Sequence, residues 1–114
     1  DVTKSFNSIM PNFIMTINKK RVLFDNLLGL DFCIFIAGNF YFSKKIIRFL
    51  DEINAKIYDT TNIICEDTFM QESFKNYSFI IRPDRKIFGV SDNDNSLEII
   101  CEDLMRKLFF KNIR

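Results

Sequence analysis

Apolar positions along this chain follow two rhythms, one of period two and one of period 3.6, separated by polar punctuation. Phe13-Ile14-Met15-Thr16-Ile17 and Arg21-Val22-Leu23-Phe24 predict two short strands, joined through Asn18-Lys19-Lys20 as a hairpin. Asp25 is placed to cap a short helical turn through Leu28, which Gly29 can end. Asp31-Phe32-Cys33-Ile34-Phe35-Ile36-Ala37 is an apolar run bounded by Gly29 and Gly38, the pattern of a central strand covered on both faces. Ile46, Phe49, Leu50 and Ile53 then form one helical stripe. Ser43 is its N-cap candidate, and Lys44, Lys45, Arg48, Asp51 and Glu52 occupy the wet side.

Ala55-Lys56-Ile57-Tyr58 alternates like a strand, and Asn62-Ile63-Ile64-Cys65 is a further short extended segment. Asp67 to Lys75 reads as helix or loop. Tyr77 to Arg82 and Lys86 to Val90 predict paired strands around a Pro83-Asp84 turn, where Pro fixes φ and Asp suits the next position. Ser91 to Asn95 is a polar loop. The last helix has Asn95 and Glu98 spaced as a capping box, with an apolar stripe of Leu97, Ile100, Cys101, Leu104 and Leu108. Glu102–Arg106 and Asp103–Lys107 are spaced as favourable helical ion pairs. Ile63-Ile64-Cys65-Glu66-Asp67 recurs as Ile99-Ile100-Cys101-Glu102-Asp103, but in a strand end and in mid-helix, so it reads as coincidence rather than a repeat.

A β-α-β unit followed by a β-β-α unit builds one mixed sheet with helices on its faces. The expected architecture is α/β, a thioredoxin-like mixed sheet with flanking helices and an N-terminal β-hairpin. Residues 1–10 show no period and read as a leader from a preceding domain, and residues 11–114 as the domain itself.

With 114 residues, 47% of them apolar, the chain has enough material for one core. Its net charge of +1 gives no basic field for nucleic acid. No apolar run approaches the roughly 18 residues of a membrane span, and the start carries no signal peptide. The expected compartment is the cytoplasm, with neither nucleic acid nor membrane as partner. The chain does not begin with Met, which reads as a piece of a longer one. Fourteen Phe and no Trp fit a core better than a ligand-binding surface.

Chemistry is sparse. There is no His, which excludes imidazole-dependent triads, metal sites and proton shuttles. Cys33, Cys65 and Cys101 are widely spaced and form no C-x-x-C, so they read as free thiols in a reducing compartment. No dinucleotide, Walker, zincin or nucleophile-elbow motif occurs. The carboxylate pairs Glu66/Asp67, Asp92/Asp94 and Glu102/Asp103 read as solvated charges. Asp92-Asn93-Asp94-Asn95 lacks the glycine and distal glutamate of a calcium loop. A thiol enzyme of this fold needs its cysteine after the first central strand, at the next helix's N-terminus. That stretch, Gly38-Asn39-Phe40-Tyr41-Phe42-Ser43, has none. No catalytic or metal-binding residue is therefore expected.

Pro11-Asn12-Phe13, the hairpin and Leu27-Leu28-Gly29-Leu30-Asp31-Phe32 before an apolar strand resemble the start of the C-terminal domain of FAD-dependent aromatic hydroxylases. Ile81-Arg82-Pro83-Asp84-Arg85-Lys86-Ile87-Phe88-Gly89 resembles that domain's R-P-D hairpin, in the version of 3-(3-hydroxyphenyl)propionate hydroxylase and its relatives. The resemblance runs over residues 8–108. It implies a parent monooxygenase that uses FAD and NAD(P)H to hydroxylate phenolic aromatics, with this chain as a non-catalytic accessory domain for packing or dimerisation. The implied partners are upstream FAD and substrate domains of the same chain, with room for a homodimer. No cofactor residue carries over to this chain. Arg82, Pro83, Asp84 and Gly89 are carried over as a structural hairpin. Two departures stand out: Asn18-Lys19-Lys20 replaces a Gly-containing turn, and Arg85 stands where Gly is common. The alternative is a self-standing thioredoxin-fold protein, either a redox-inactive binding module or a degenerate peroxiredoxin-like protein.

Overall fold

The computed structural model describes residues 9–38, 42–92 and 94–113, and of residues 94–96 and 109–113 the backbone alone. The first expected element is present: β1 (Ile14–Ile17) and β2 (Lys20–Leu23) form an antiparallel hairpin with Ile14 opposite Leu23 and Ile17 opposite Lys20. Its loop is only Asn18-Lys19, both at positive φ (52° and 68°). A two-residue loop with this backbone twists with the strands, so Lys20 joins the ladder instead of the turn.

Helix α1 (Phe24–Leu28) follows directly and ends at Gly29, whose φ of 62° suits a residue without a Cβ. Asp25 does not cap it. The residue before the helix is Leu23, and the Asp25 N–H instead donates to Oδ1 of Asn12 at 3.1 Å.

Strand β3 (Cys33–Ile36) lies inside a four-stranded sheet of order β4-β3-β6-β7. It runs parallel to β4 (Lys56–Asp59) and antiparallel to β6 (Ser78–Ile81), which pairs antiparallel with β7 (Ile87–Ser91). The two faces of β3 explain its unbroken apolar run. Cys33 and Phe35 enter one core with Phe79 and Ile81, and Ile34 enters another with Ile80 and Phe88. The second core is closed by α2 (Lys44–Glu52) and α4 (Asp94–Ile113).

The other core is closed by a second sheet. A 3-10 turn (Thr60–Asn62), opened by the Asp59 carboxylate accepting from the Thr61 N–H, carries the chain to β5 (Ile63–Cys65). That strand pairs with β1, giving a three-stranded sheet of order β2-β1-β5. The hairpin is therefore one part of a small sheet, and not a lone addition to the main one. Helix α3 (Thr68–Asn76) resolves the helix-or-loop alternative, with the Asp67 carboxylate accepting from Met70 N–H at 2.9 Å. Glu66 pairs with Arg21 at 2.9 Å, tying β5 to β2 across β1.

Phenylalanines dominate this core. Phe13 stacks on Phe24 at 4.6 Å between centroids, Phe24 meets Phe35 at 5.4 Å, and Phe35 stacks on Phe74 at 5.3 Å. Phe69 is an exception and is exposed. Met10, at the end of the expected leader, is buried in the same core, and its N–H donates to the Arg85 carbonyl at 2.8 Å. Residues 1–8 lie outside the described residues.

Helix α4 begins at Asp94, so Asn95 falls inside its first turn, and that side chain lies outside the described residues. Asp103 pairs with Lys107 at 3.4 Å, whereas no Glu102–Arg106 ion pair is seen among the described residues. The two I-I-C-E-D copies differ as expected, one covering β5 and the bend after it, the other in mid-α4. Among the described residues no helix is long and apolar enough to cross a membrane.

Candidate functional site

The place where this fold would carry a reactive thiol is the β3–α2 junction. β3 ends at Ile36, and Gly38 follows with φ of 87°. Asn39, Phe40 and Tyr41 lie outside the described residues. Ser43 caps α2, its Oγ accepting from Ile46 N–H at 3.4 Å. The Ser43 N–H donates to a Glu98 carboxylate oxygen at 2.6 Å. Glu98 thus serves α2, an arrangement that its capping-box spacing within α4 does not suggest. Below the junction, buried Ser78 accepts from Ala37 N–H at 2.9 Å. Thr60, also buried, sets its hydroxyl 3.0 Å from the Ile36 carbonyl and 2.9 Å from that of Phe74. These contacts hold the end of β3.

The cysteines stand elsewhere, and all three are buried. Burial pushes the Cys33 thiol up from 9.0 to about 11, with Lys56 and Arg85 opposing and Asp31 reinforcing the shift. Its Sγ lies 3.5 Å from the Leu28 carbonyl. Burial, aided by Asp67, raises Cys65 to about 11, and burial with Glu98 raises Cys101 to about 12. Such thiols are protonated at neutral pH, and the thiolate is the nucleophile.

The R-P-D hairpin is the other candidate. Arg82 N–H donates to the Lys86 carbonyl, and Arg85 N–H to the Arg82 carbonyl at 3.0 Å, closing a tight turn over Pro83-Asp84. Asp84 accepts from Lys86 N–H at 3.2 Å and pairs with the Arg82 guanidinium at 2.7 Å. Both side chains of that pair are partly exposed, so it contributes only ~0–1 kcal/mol. Gly89 lies in β7 beside a register shift at Ile80/Ile81. A Cβ there would stand 2.5 Å from Cγ2 of Ile100, so the missing side chain is what lets α4 sit close.

Arg85 does more than its status as a departure suggests. It adopts φ of 73°, the left-handed region that explains a preference for Gly at this turn. Its guanidinium donates to the Gly29 carbonyl at 2.8 Å and to the Asp25 carbonyl at 3.2 Å, with Nε 3.4 Å from the Asp25 carboxylate. The hairpin is thereby fastened to α1 through Asp25 and to Gly29 just after it.

Of the carboxylate pairs in the sequence, Glu66 pairs with Arg21, Asp67 caps α3 and Asp103 pairs with Lys107, while the Asp94 side chain lies outside the described residues. Among the described residues no group of three or more Cys, Asp or Glu is placed to hold a metal. The three glycines, Gly29, Gly38 and Gly89, fall in separate places, so the chain has no glycine-rich cradle for a dinucleotide phosphate.

No family model matches the chain, and no curated protein matches it. Solved structures do. Aklavinone-11 hydroxylase, in complex with FAD and aklavinone, is similar with a TM-score of 0.59 at 12% identity. The match covers 86% of this chain and 21% of the hydroxylase, so the chain spans about a fifth of that enzyme. A yeast mitochondrial 1-Cys peroxiredoxin is similar with a TM-score of 0.56 at 16% identity, over 83% of this chain and 72% of that one. With its parallel β3–β4 pair, antiparallel β6–β7 pair and helices on the sheet, this chain has a thioredoxin-like fold.

Proposed function

We propose that this chain is a non-catalytic accessory domain of a larger FAD- and NAD(P)H-dependent monooxygenase that hydroxylates phenolic aromatics, of the 3-(3-hydroxyphenyl)propionate hydroxylase kind. The observation that carries the non-catalytic part is the β3–α2 junction. The fold's thiol position has no cysteine, and the three cysteines present are buried and protonated. The hydroxylase part is supported by the likeness to a fifth of aklavinone-11 hydroxylase and by the R-P-D hairpin. FAD would be held by other domains of that enzyme, since this chain offers no phosphate cradle. The domain's work is then mechanical: it presents a rigid sheet and helices for packing or dimerisation.

The test is expression of the complete reading frame that contains this chain. The expected product holds FAD, consumes NAD(P)H when given a phenolic acid, and loses assembly or solubility when residues 11–114 are removed. A flavin-free product of this size alone would overturn the reading. In that case the second reading stands, a self-standing redox-inactive module, which the 72% coverage of the peroxiredoxin favours.

A further inference from the structure

Between α2 and α4 runs a groove of about 430 Å³, within the range of small-ligand sites, roughly 300–1,000 Å³. Phe49, Ile53, Met105 and Leu108 give it an apolar lining. Its charged lining comes from α2: Lys44, Lys45 and Arg48, with Glu52 as the single acid. Among the described residues none of the three cations has an ion-pair partner, although other surface arginines and lysines, such as Arg21, Arg82 and Lys75, do.

The groove also has a direction. β3 and β7 are both antiparallel to β6, so the helices that follow them, α2 and α4, run the same way. The Ser43–Glu98 hydrogen bond brings their beginnings together. Lys44, Lys45 and Arg48 occupy the early part of α2, whereas Ile53, Met105 and Leu108 lie further along the two helices. One end is therefore cationic, and the other is apolar apart from Glu52 beside Ile53.

We propose that this groove binds a small amphipathic anion, with one carboxylate or sulfonate head at Lys45 and Arg48 and one apolar body over Met105 and Leu108. A head alone would meet exposed cations at high dielectric, where a single contact is weak. An apolar body alone would leave the cations unused. Only a ligand with both uses the three cations and the apolar residues together. This site is independent of the accessory-domain reading.

Decanoate is the probe, titrated into the isotopically labelled chain and followed by amide NMR shifts. The expected result is saturable one-to-one binding, with shifts concentrated on α2 and on the Met105–Leu108 turn. Decanol, which lacks the charge, and butyrate, which lacks the body, should each bind at least about ten-fold more weakly, the loss of one charge-assisted hydrogen bond or its apolar equivalent. K45E/R48E should weaken decanoate by about ten-fold or more and leave decanol unchanged, and K75E should change neither. Should K45E/R48E unfold, K45Q/R48Q makes the same comparison. Equal affinity for decanoate and decanol, an unchanged K45E/R48E, or shifts centred elsewhere would overturn the proposal. Tighter binding of an acidic amphipathic peptide at the same residues would overturn it in favour of a partner helix.

Discussion

Arg85 Nη1 donates to the Gly29 carbonyl at 2.8 Å, across 56 residues of chain. The contact resolves a conflict between a strained backbone and a useful side chain. Arg85 sits at φ of 73°, where a residue with a Cβ costs about 1–2 kcal/mol relative to Gly. Its guanidinium makes part-buried hydrogen bonds to the carbonyls of Gly29 and Asp25. Arg85→Ala keeps the strain and loses the bonds, so it is expected to destabilise by about 1–3 kcal/mol. Arg85→Gly loses the bonds but relieves the strain, and should be the milder change. Urea unfolding of both variants checks the order wild type, then Gly, then Ala. A more stable Ala variant would show that the guanidinium contributes nothing.

Gly89 is expected to resist substitution for a different reason. Gly89→Ala places a methyl 2.5 Å from Cγ2 of Ile100, a branched atom close to the α4 backbone. Overpacking of this kind costs about 1–3 kcal/mol. Ile100→Ala removes the obstructing atom. The double variant should therefore lose less than the two single losses added, and thermal melts of the four proteins complete the cycle. Additive losses would mean that α4 simply shifts.

Thiol titration separates buried from reactive cysteines. With a chromogenic disulfide reagent at pH 7.5, the folded chain should show almost no reaction and the guanidinium-unfolded chain all three thiols. One fast-reacting thiol in the native chain would contradict the burial of Cys33, Cys65 or Cys101.

The same thiols set an alkaline limit. In the unfolded chain they release protons near 9.0, whereas the fold retains them to about 11 for Cys33 and Cys65 and about 12 for Cys101. Between those values the unfolded state binds fewer protons, so the stability present below pH 9 falls as pH rises. Tyr58, raised by burial and by Cys33, acts in the same direction. The urea midpoint should fall steadily from pH 8.5 to 10.5, and Cys101→Ala should flatten that fall. A midpoint independent of pH over this range would sink the argument.

What the residues reveal in advance, and what they do not, divides by range. The β1–β2 hairpin, the doubly buried β3, the α2 stripe with its Ser43 cap and the Pro83-Asp84 turn are local patterns, written within a few neighbours. The partnership of β5 with β1 is not local: Ile63-Ile64-Cys65 reads as extended, but nothing near it names the sheet it joins. Arg85's reach to Gly29 and Glu98's hold on Ser43 are long-range in the same way. Arg85 did leave a trace, as an arginine in a turn where Gly is common. The α2–α4 groove left less, because its lining comes from residues that read separately as a helix's wet face and two apolar stripes.

The position of β1 between β2 and β5 bears on the order in which the molecule assembles. The hairpin can close at once from its own residues, but its second ladder needs Ile63-Ile64-Cys65, about forty residues after the hairpin ends. Until that segment arrives, β1 presents an unpaired edge, and Met15 and Phe24 lack part of their cover. On a ribosome adding about 5–20 residues per second, that interval lasts seconds, long beside the microseconds in which a hairpin forms. During synthesis this domain is most exposed to wrong pairing at its hairpin, and the arrival of β5 is the event that ends the hazard.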